Sequence, residues 1–467
     1  MTGGEEFNRE KNVLRFHYSR QRGKNAPLRR ENRRDRREEE IFVFILKTGD
    51  RGSEVALLQK GLVRAGFGPL RIDGIFGAAT RRALTAFQRS RGLSPDGLAG
   101  PRTERALAPW YRGYAVHTVV PGDTLWRIAG RYGATLLALE TANPELDPFD
   151  LRPGQKLTVP LPFPVVPDDV PWSASLAGYM ADGLLRRYPG LLRSEVLTHT
   201  VGTLPLFSFA VGEGPRRVLY TAAHHGNEWI TALLLMRFLE ELLRAFAAGE
   251  PLAGTPAEEI LFRAQITLVP AVDPDGIDVA TRARPGGAAW ERAEAIARGW
   301  PAIPFPHGWK ANLQGVDLNL QYPAEWERAK AIKFALGYDR PAPRDYVGPA
   351  PLSAPESAAL AALTRTLDPA LVLAYHTQGE EIFWQFLGEA PKGSRELAER
   401  FAALSGYALG DVPEESAYAG YKDWFIQEFR RPGFTIEAGK GENPLPLSQL
   451  EDIWTANQGI LAAAALG

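Results

Sequence analysis

The chain has 467 residues, and at roughly 100–200 residues per domain this length predicts two to four domains. It is 45% hydrophobic and 23% charged with a formal net charge of -1, which excludes a uniformly basic surface for nucleic acid or an anionic membrane. Because it contains no cysteine, disulfides, thiolate metal ligands and a cysteine nucleophile are excluded. Any bound metal must therefore be held by His, Asp or Glu.

Residues 1–45 are predicted to form a disordered, charged tail, because residues 29–40 are almost wholly charged and have nothing to bury. Acidic residues interrupt the basic ones, which argues against an arm that binds nucleic acid. No run of about 18 apolar residues occurs, so we expect no membrane span. The N-terminus also lacks the basic-then-apolar pattern of a secretory signal.

Residues 46–109 contain a short internal repeat. The pattern D-G-x-x-G-x-x-T occurs at 73–80 and again at 96–103. A predicted helix follows the first copy, and apolar residues with helical spacing precede it. Asp-Gly pairs favour tight turns, since glycine accepts a positive φ and aspartate caps the local backbone. The segment resembles the three-helix peptidoglycan-binding domain of cell-wall hydrolases. Turn chemistry that only holds three helices together would produce the same repeat.

Residues 114–160 predict a small βααβ unit. A strand at 116–120 is followed by the turn 121–124 and a helix that begins near Leu125, and a second strand covers 151–160. The V-x-x-G-D-T-L-W-x-I-A and L-x-P-G-Q-x-L-x-V-P patterns resemble a LysM domain, a family that binds N-acetylglucosamine-containing glycans. His117, on the first strand, is interpreted as a surface residue.

Residues 161–174 are rich in proline, which favours an extended, semi-rigid spacer. The remaining segment, 175–467, alternates strand-like apolar runs with amphipathic helices and predicts one large α/β domain.

Polar side chains follow four predicted strands of this domain. Because sites in open α/β sheets form at the carboxyl ends of strands, we expect these side chains to meet. They belong to His224, His225 and Glu228, to Asp273 and Asp275, to His376, and to Glu437.

This set predicts one catalytic zinc ion. Catalytic zinc takes three protein ligands and leaves a position for water. His225 and Glu228 can both turn inward from one tight loop, and His376 supplies a third ligand from another strand. His224 is the rival ligand, but adjacent residues on an extended chain point in opposite directions. Glu437 is predicted as the general base that takes a proton from the attacking water.

With these residues in place, the segment resembles the zinc carboxypeptidases, which have a mixed eight-stranded sheet between helices. The family's H-x-x-E falls on His225 and Glu228, its third ligand on His376, and its general base on Glu437. The resemblance implies that Asp317 orients the first histidine ligand. It also implies that Lys310 stands where the family has an arginine that polarises the scissile carbonyl.

Two positions depart from this family pattern. Asn319 is kept, but Leu320 replaces the arginine that grips the substrate's terminal carboxylate, which argues against an ordinary exopeptidase. Lys422 falls at the specificity position, where it can pair with the side-chain carboxylate of meso-diaminopimelate. The family's substrate-binding tyrosine is assigned to Tyr418, with Tyr421 as the alternative. The variation resembles the branch that cleaves γ-D-glutamyl–diamino-acid bonds.

The predicted function is therefore zinc-dependent cleavage of peptidoglycan stem peptides at the γ-D-glutamyl–meso-diaminopimelate bond. The alternatives are a carboxypeptidase that trims the stem and a non-catalytic wall-binding protein. The LysM and peptidoglycan-binding modules are expected to hold glycan and the catalytic domain to hold the stem peptide, in the cell wall or outside the cell, with spore association left open. Deleting residues 1–165 is expected to slow digestion of walls and spare soluble peptides.

Overall fold

The structure, a computed structural model, describes residues 45–467, so the predicted charged tail lies outside the described residues except for its last position. Three helices of the first module pack around a small core of buried leucine, valine and phenylalanine side chains. They are α1 (Ser53–Arg64), α2 (Ala78–Ser90) and α3 (Pro101–Arg112).

The internal repeat forms two equivalent turns, each held by a buried glutamine. Gln59 Nε2 donates to Asp73 Oδ1 at 2.9 Å, and Gln88 Nε2 donates to Asp96 Oδ1 at the same distance. The Oε1 atom of each glutamine accepts the amide of the glycine that follows the aspartate. The repeat is thus a structural device in this module, and its glutamines lie outside the repeated pattern from which it was predicted.

The second module has the predicted βααβ order. Its elements are β1 (Tyr114–Thr118), α4 (Leu125–Tyr132), α5 (Leu136–Ala142) and β2 (Lys156–Pro160). The two strands pair antiparallel. The interpretation of His117 as a surface residue is wrong: it is buried, and its Nε2 lies 2.8 Å from Asp123 Oδ2 in the turn before α4.

The large C-terminal domain is built on a mixed eight-stranded sheet, as predicted. The strands of the sheet are β3 (Leu192–His199), β4 (Pro205–Val211), β5 (Arg216–Ala222), β8 (Ala264–Val269), β9 (Leu371–His376), β10 (Glu381–Phe383), β11 (Ala408–Leu409) and β12 (Gly433–Glu437). Their order across the sheet is β11-β10-β12-β9-β5-β8-β4-β3, and the four strands from β12 to β8 are parallel to one another. A separate hairpin joins β6 (Pro251–Leu252) and β7 (Thr255–Pro256).

Helices cover both faces of this sheet. They are α6 (Ala174–Arg187), α7 (Ile230–Ala248), α8 (Ala257–Arg263), α9 (Pro274–Ala280), α10 (Ala288–Ala297), α11 (Trp326–Ala335), α12 (Pro355–Leu367), α13 (Ser394–Ser405), α14 (Tyr421–Phe429) and α15 (Leu450–Leu466). Leu219 packs in one core cluster with Trp424 of α14, whereas the Tyr220 hydroxyl bonds to Leu461 O of α15. Because neighbouring strand residues point to opposite faces, α14 and α15 lie on opposite sides of the sheet.

The proline-rich segment 161–174 is packed into the fold. Val165, Val170 and Trp172 are buried, and the amides of Val165 and Val166 donate to the carboxylate of Glu240 at 2.7 and 2.8 Å. Instead of running free between the modules, the segment lies along the catalytic domain. Its last residue, Ala174, is the first residue of α6.

Arg187, at the end of α6, joins the two N-terminal modules to the sheet domain. Its guanidinium donates to the carbonyls of Gly113, Leu161 and Phe163, and it lies 3.7 Å from the buried carboxylate of Glu240. Gly113 is the residue between the two N-terminal modules. The Arg187 side chain therefore contacts the junction of these modules, the proline-rich segment and α7. Among residues 45–467, no helix is both long and apolar enough to span a bilayer.

Candidate metal centre

The loop after β5 carries the first two predicted ligands. His225 precedes a single turn of 3₁₀ helix, Gly226–Glu228, and Gly226 donates its amide to Lys310 O at 3.1 Å. A Cβ atom on Gly226 would lie 2.3 Å from the backbone of Gly276, so only glycine allows this approach. Gly276 belongs to the turn capped by Asp273, which therefore supports the loop and stands outside the metal cluster.

The structure brings His225, Glu228 and His376 together. Their ligand atoms lie within 4.8 Å of one another, and all three side chains are buried. His225 Nδ1 is 2.8 Å from one Glu228 oxygen, and His376 Nδ1 is 2.9 Å from the other. The Nδ1 atoms therefore face the carboxylate.

Three further predicted residues surround this cluster. Asp317 Oδ1 lies 3.0 Å from His225 Nε2, which fixes the orientation of the imidazole. Lys310 Nζ lies 2.9 Å from Glu228 Oε1. Glu437 is the last residue of β12 and pairs with His376 in the parallel register of β12 and β9. The two side chains therefore point to the same side of the sheet.

The buried charges of the cluster favour a cation. Burial works to raise the pKa of Glu228, but the charges of His225 and Lys310 hold that pKa well below its usual range. Burial works against protonation of His225, yet the carboxylates of Glu228 and Asp317 raise its pKa to about 9. For Glu437, burial and the Glu228 charge raise the pKa to about 8. Glu228 thus stays ionised and attracts positive charge.

This donor set fits zinc. Two imidazole nitrogens and one carboxylate are a ligand combination found in catalytic zinc sites. The second nitrogen of His225 is occupied by Asp317, which leaves Nδ1 for the ion. His224, the rival ligand, is excluded from the group: it stacks on His376, and its Nε2 lies 3.3 Å from the Tyr322 hydroxyl. Among the described residues, His225, Glu228 and His376 thus form a group whose donor atoms are close enough to hold one metal ion.

Two of the predicted substrate residues, Asn319 and Lys422, lie on the 3₁₀ turn after Asp317 and on α14. Asn319 Oδ1 accepts the Tyr421 amide at 3.1 Å, and Leu320 is 7% exposed within the hydrophobic core. Lys422 is 3% exposed; its Nζ donates to Gln385 O at 2.7 Å and lies 2.5 Å from Asp423.

The two tyrosines proposed for substrate binding are both buried. The Tyr418 ring packs under Arg328, with the guanidinium carbon 4.3 Å from the ring centroid. The Tyr421 hydroxyl bonds to Thr364 at 2.9 Å inside the core. Tyr421 is therefore a core residue, and the contacts of the described residues do not bring Tyr418 to the metal cluster.

No sequence motif indicated that the loop at residues 343–346 lies beside the cluster. Lys310 N donates to Pro343 O at 2.8 Å, and the Asp345 amide donates to Asp317 Oδ2 at 3.1 Å. These residues follow no predicted strand and match none of the motifs that pointed to the metal site. Asp345 in this loop is a non-glycine residue with a φ of 65°, a backbone conformation that its residue type does not predict.

Family models match three parts of the chain. Residues 179–459 match the zinc carboxypeptidase family, residues 51–107 a peptidoglycan binding domain, and residues 117–160 the LysM domain. The two N-terminal matches support association with peptidoglycan and the cell wall.

Individual proteins give a consistent result. Over 276 residues the chain is 41% identical to gamma-D-glutamyl-L-diamino acid endopeptidase 1 of Lysinibacillus sphaericus, covering 59% of this chain and 67% of that protein. It is 38% identical to the uncharacterized protein YqgT of Bacillus subtilis (strain 168), over 53% of this chain and 64% of YqgT. The crystal structure of thrombin activatable fibrinolysis inhibitor has a similar fold, with TM-score 0.50 and 14% identity over 68% of this chain and 88% of that one.

Proposed function

Because the chain belongs to the zinc carboxypeptidase family, we propose that it hydrolyses the γ-D-glutamyl–meso-diaminopimelate bond of peptidoglycan stem peptides. The endopeptidase of Lysinibacillus sphaericus, at 41% identity, supports this choice of bond. The N-terminal modules support peptidoglycan as the material on which the enzyme acts.

The residues around the cluster have separate tasks in this reaction. Zinc, when bound, supplies Lewis acidity to the attacking water and the scissile carbonyl. Glu437 takes the proton from that water and passes it to the leaving amine, a role that suits a carboxylate whose pKa burial has raised. Lys310, whose ammonium touches Glu228, donates to the developing oxyanion. Asp317 holds His225 in one tautomer.

The observation that carries the endopeptidase proposal is the environment of Leu320. A carboxypeptidase needs a cation for the terminal carboxylate, and a bidentate arginine supplies it most specifically. Here the leucine side chain lies in the hydrophobic core. The position is thus built for packing, and a substrate that continues beyond the diamino acid meets no requirement for a free α-carboxylate there.

Lys422 is proposed to bind the side-chain carboxylate of meso-diaminopimelate. An ammonium group has three donors, and Gln385 O and Asp423 account for two of them. One donor is left for the substrate. The variant Lys422→Ala is expected to weaken cleavage of diaminopimelate stems more than lysine stems, and equal losses would contradict this role.

The two N-terminal modules are proposed to hold the enzyme on wall glycan, which raises the local concentration of stem peptides. Association with the spore wall stays a prediction. A purely wall-binding protein is disfavoured, because it would have no use for the buried group of His225, Glu228 and His376 with the Lys310 ammonium beside it.

Mass spectrometry of the products tests the proposal. Zinc-loaded enzyme is incubated with L-Ala–γ-D-Glu–meso-diaminopimelate–D-Ala, with Glu437→Gln as the control. Release of L-Ala–D-Glu is the expected result. Loss of the terminal D-Ala alone would identify a carboxypeptidase, and no cleavage by enzyme with full zinc content would refute a hydrolytic role on this substrate.

A further inference from the structure

Residues 343–346 form a loop that is fastened to the metal centre on both sides of Arg344. Pro343 O accepts the amides of Lys310 and Ala311 at 2.8 and 2.9 Å. On the other side, the Asp345 amide donates to Asp317 Oδ2 at 3.1 Å, and the Asp317 amide donates to Tyr346 O at 2.8 Å. Arg344 thus stands between the residue predicted to face the scissile carbonyl and the residue that orients His225.

The Arg344 side chain is oriented yet accessible. Its Nε donates to Asp345 Oδ2 at 2.5 Å, and Asp345 is itself anchored by the buried ammonium of Lys333 at 2.6 Å. The side chain of Arg344 remains 42% exposed. Within residues 45–467, its two terminal nitrogens have no protein partner, so a planar pair of donors is left for a ligand.

The proposed substrate carries a charge that matches such a cation. When D-glutamate is linked through its γ-carboxyl group, its α-carboxylate stays free, only a few bonds from the scissile carbonyl on the acyl side. Amidation of this group to D-isoglutamine removes the charge and leaves the shape of the residue almost unchanged. A cation beside the group that polarises the carbonyl would match this carboxylate, and the loop of Arg344 is hydrogen-bonded to Lys310.

We propose that Arg344 binds the free α-carboxylate of the γ-linked D-glutamyl residue and thereby makes the enzyme selective for stem peptides in which this carboxylate is not amidated. The inference rests on the proposed function and assigns a specificity residue for it. Arginine suits this task because its planar guanidinium holds a carboxylate in a fixed, bidentate geometry. This contact would also replace the one that is lost where Leu320 stands in place of an arginine. The enzyme would bind a carboxylate on the acyl side of the scissile bond instead of a terminal carboxylate on the amine side.

Two substrates that differ in one group test this assignment. One is L-Ala–γ-D-Glu–meso-diaminopimelate–D-Ala, and the other has D-isoglutamine in place of D-Glu, so that an amide replaces the α-carboxylate. The native enzyme is expected to prefer the carboxylate form. Arg344→Gln is expected to lower kcat/KM for that form about 10- to 100-fold, as for loss of a charge-assisted hydrogen bond, and to change the amide form little. Arg344→Lys, which keeps the charge but loses the fork, is expected to restore part of the preference.

Controls separate this role from a structural one. Arg340→Gln is the matched variant, because Arg340 stacks on Trp300 and pairs with Asp339 at 3.4 Å. Zinc content and thermal unfolding establish that each variant is folded. Calorimetric binding of L-Ala–D-Glu and of L-Ala–D-isoglutamine gives a second readout, in which only Arg344→Gln is expected to lose the preference for the carboxylate.

The outcomes are distinct. Equal losses on both substrates in Arg344→Gln would make the residue a support of the loop and overturn the inference. A native enzyme that cleaves both substrates equally would also overturn it but leave the proposed function standing. If the native enzyme with full zinc content cleaves neither, the proposed function fails and the inference fails with it.

Discussion

The metal centre and the junction around Arg187 both bury charged side chains, but the charges are satisfied in different ways. At the metal centre, Glu228 is satisfied mainly by side chains, two imidazoles and an ammonium group, and the Thr377 amide also donates to it at 3.3 Å. At the junction, the Arg187 guanidinium is satisfied mainly by backbone carbonyls, and Glu240 by backbone amides. Side-chain partners can exchange with a metal or a substrate, whereas backbone partners fix one arrangement of the chain.

The pKa directions reflect the same difference. Glu228 stays ionised because nearby cations outweigh its burial. At the junction, burial dominates: it lowers the pKa of Arg187 and raises that of Glu240, although each residue partly offsets the shift of the other. A buried ion pair of this kind contributes little net stability, but removing one partner is costly. The two regions should therefore respond to mutation in opposite ways.

The largest effect is expected at the metal centre, on catalysis alone. Glu437→Gln keeps the shape of the side chain but removes the proposed proton acceptor, so kcat should fall by about 10²- to 10⁴-fold. Because burial already disfavours the Glu437 charge, the free energy of unfolding should stay the same or rise. Stopped assays on the soluble stem peptide and urea unfolding measure the two quantities.

Glu381→Gln is the matched control for this prediction, because Glu381 is the register partner of Glu437 on β10. It should keep most of the activity. If both variants lose activity equally, or if Glu437→Gln loses its zinc, the separation of catalysis from stability breaks down.

The second effect is expected at the junction, on stability. Arg187→Ala leaves Glu240 buried without its cation, and such a change costs about 3–5 kcal/mol of unfolding free energy. The neighbouring Arg186→Ala should cost less than about 0.5 kcal/mol, since Arg186 is 61% exposed. Urea unfolding of both variants checks this, and equal unfolding would show that the junction does not depend on its buried guanidinium.

The junction also changes what a truncation can test. Deleting residues 1–165 was expected to leave the catalytic domain intact and to affect only wall digestion. The deletion would remove the carbonyls to which Arg187 donates and the Val165 amide that donates a hydrogen bond to Glu240. It would also expose Tyr179, whose ring centroid lies 4.8 Å from that of Tyr111. We therefore expect the shortened chain to be destabilised, with lower activity on soluble peptides too.

The difference between the metal centre and the junction around Arg187 explains why only the metal centre could be predicted from the sequence. His225 and Glu228 follow a strand with ligand spacing, and His376 and Glu437 end two further strands, so strand order alone brings them together. Arg187 ends an amphipathic helix in the way that many solvated arginines do, and only the docking of Gly113 and the proline-rich segment buries it. Proline content predicted the extended backbone of 161–174 but carried no information on the surface it covers.

Inside the catalytic domain, the sequence did not indicate the burial of Tyr418 or the position of the loop of Arg344. A family pattern assigned Tyr418, yet its ring is buried under Arg328, because a short 3₁₀ helix and α14 set the backbone there. The loop at 343–346 reaches the cluster through backbone hydrogen bonds, which any sequence can form. Contacts of this kind leave no residue pattern to detect.

The smallest effect is a pH dependence of stability at the face where α1 and α3 meet the catalytic domain. Burial, with the nearby Glu54, raises the pKa of Glu104 from 4.5 to about 8, and burial with Glu54 raises that of Asp278 to about 7. Folding therefore favours the protonated carboxyl groups. Their contribution is complete below the unfolded value and is lost as the pH rises through these folded values.

Glu104→Gln is neutral at every pH, so its unfolding free energy should fall less steeply than that of the native chain between about pH 5 and pH 8. The slope should not vanish, because Glu54 and Asp278 remain. Glu291→Gln, at an exposed position in the first turn of α10, is the matched control and should keep the native slope. Urea unfolding across this pH range measures the slopes. Identical slopes for Glu104→Gln and the native chain would contradict this prediction. They would mean that the Glu104 carboxyl group stays solvated in the folded chain and takes up no proton on folding.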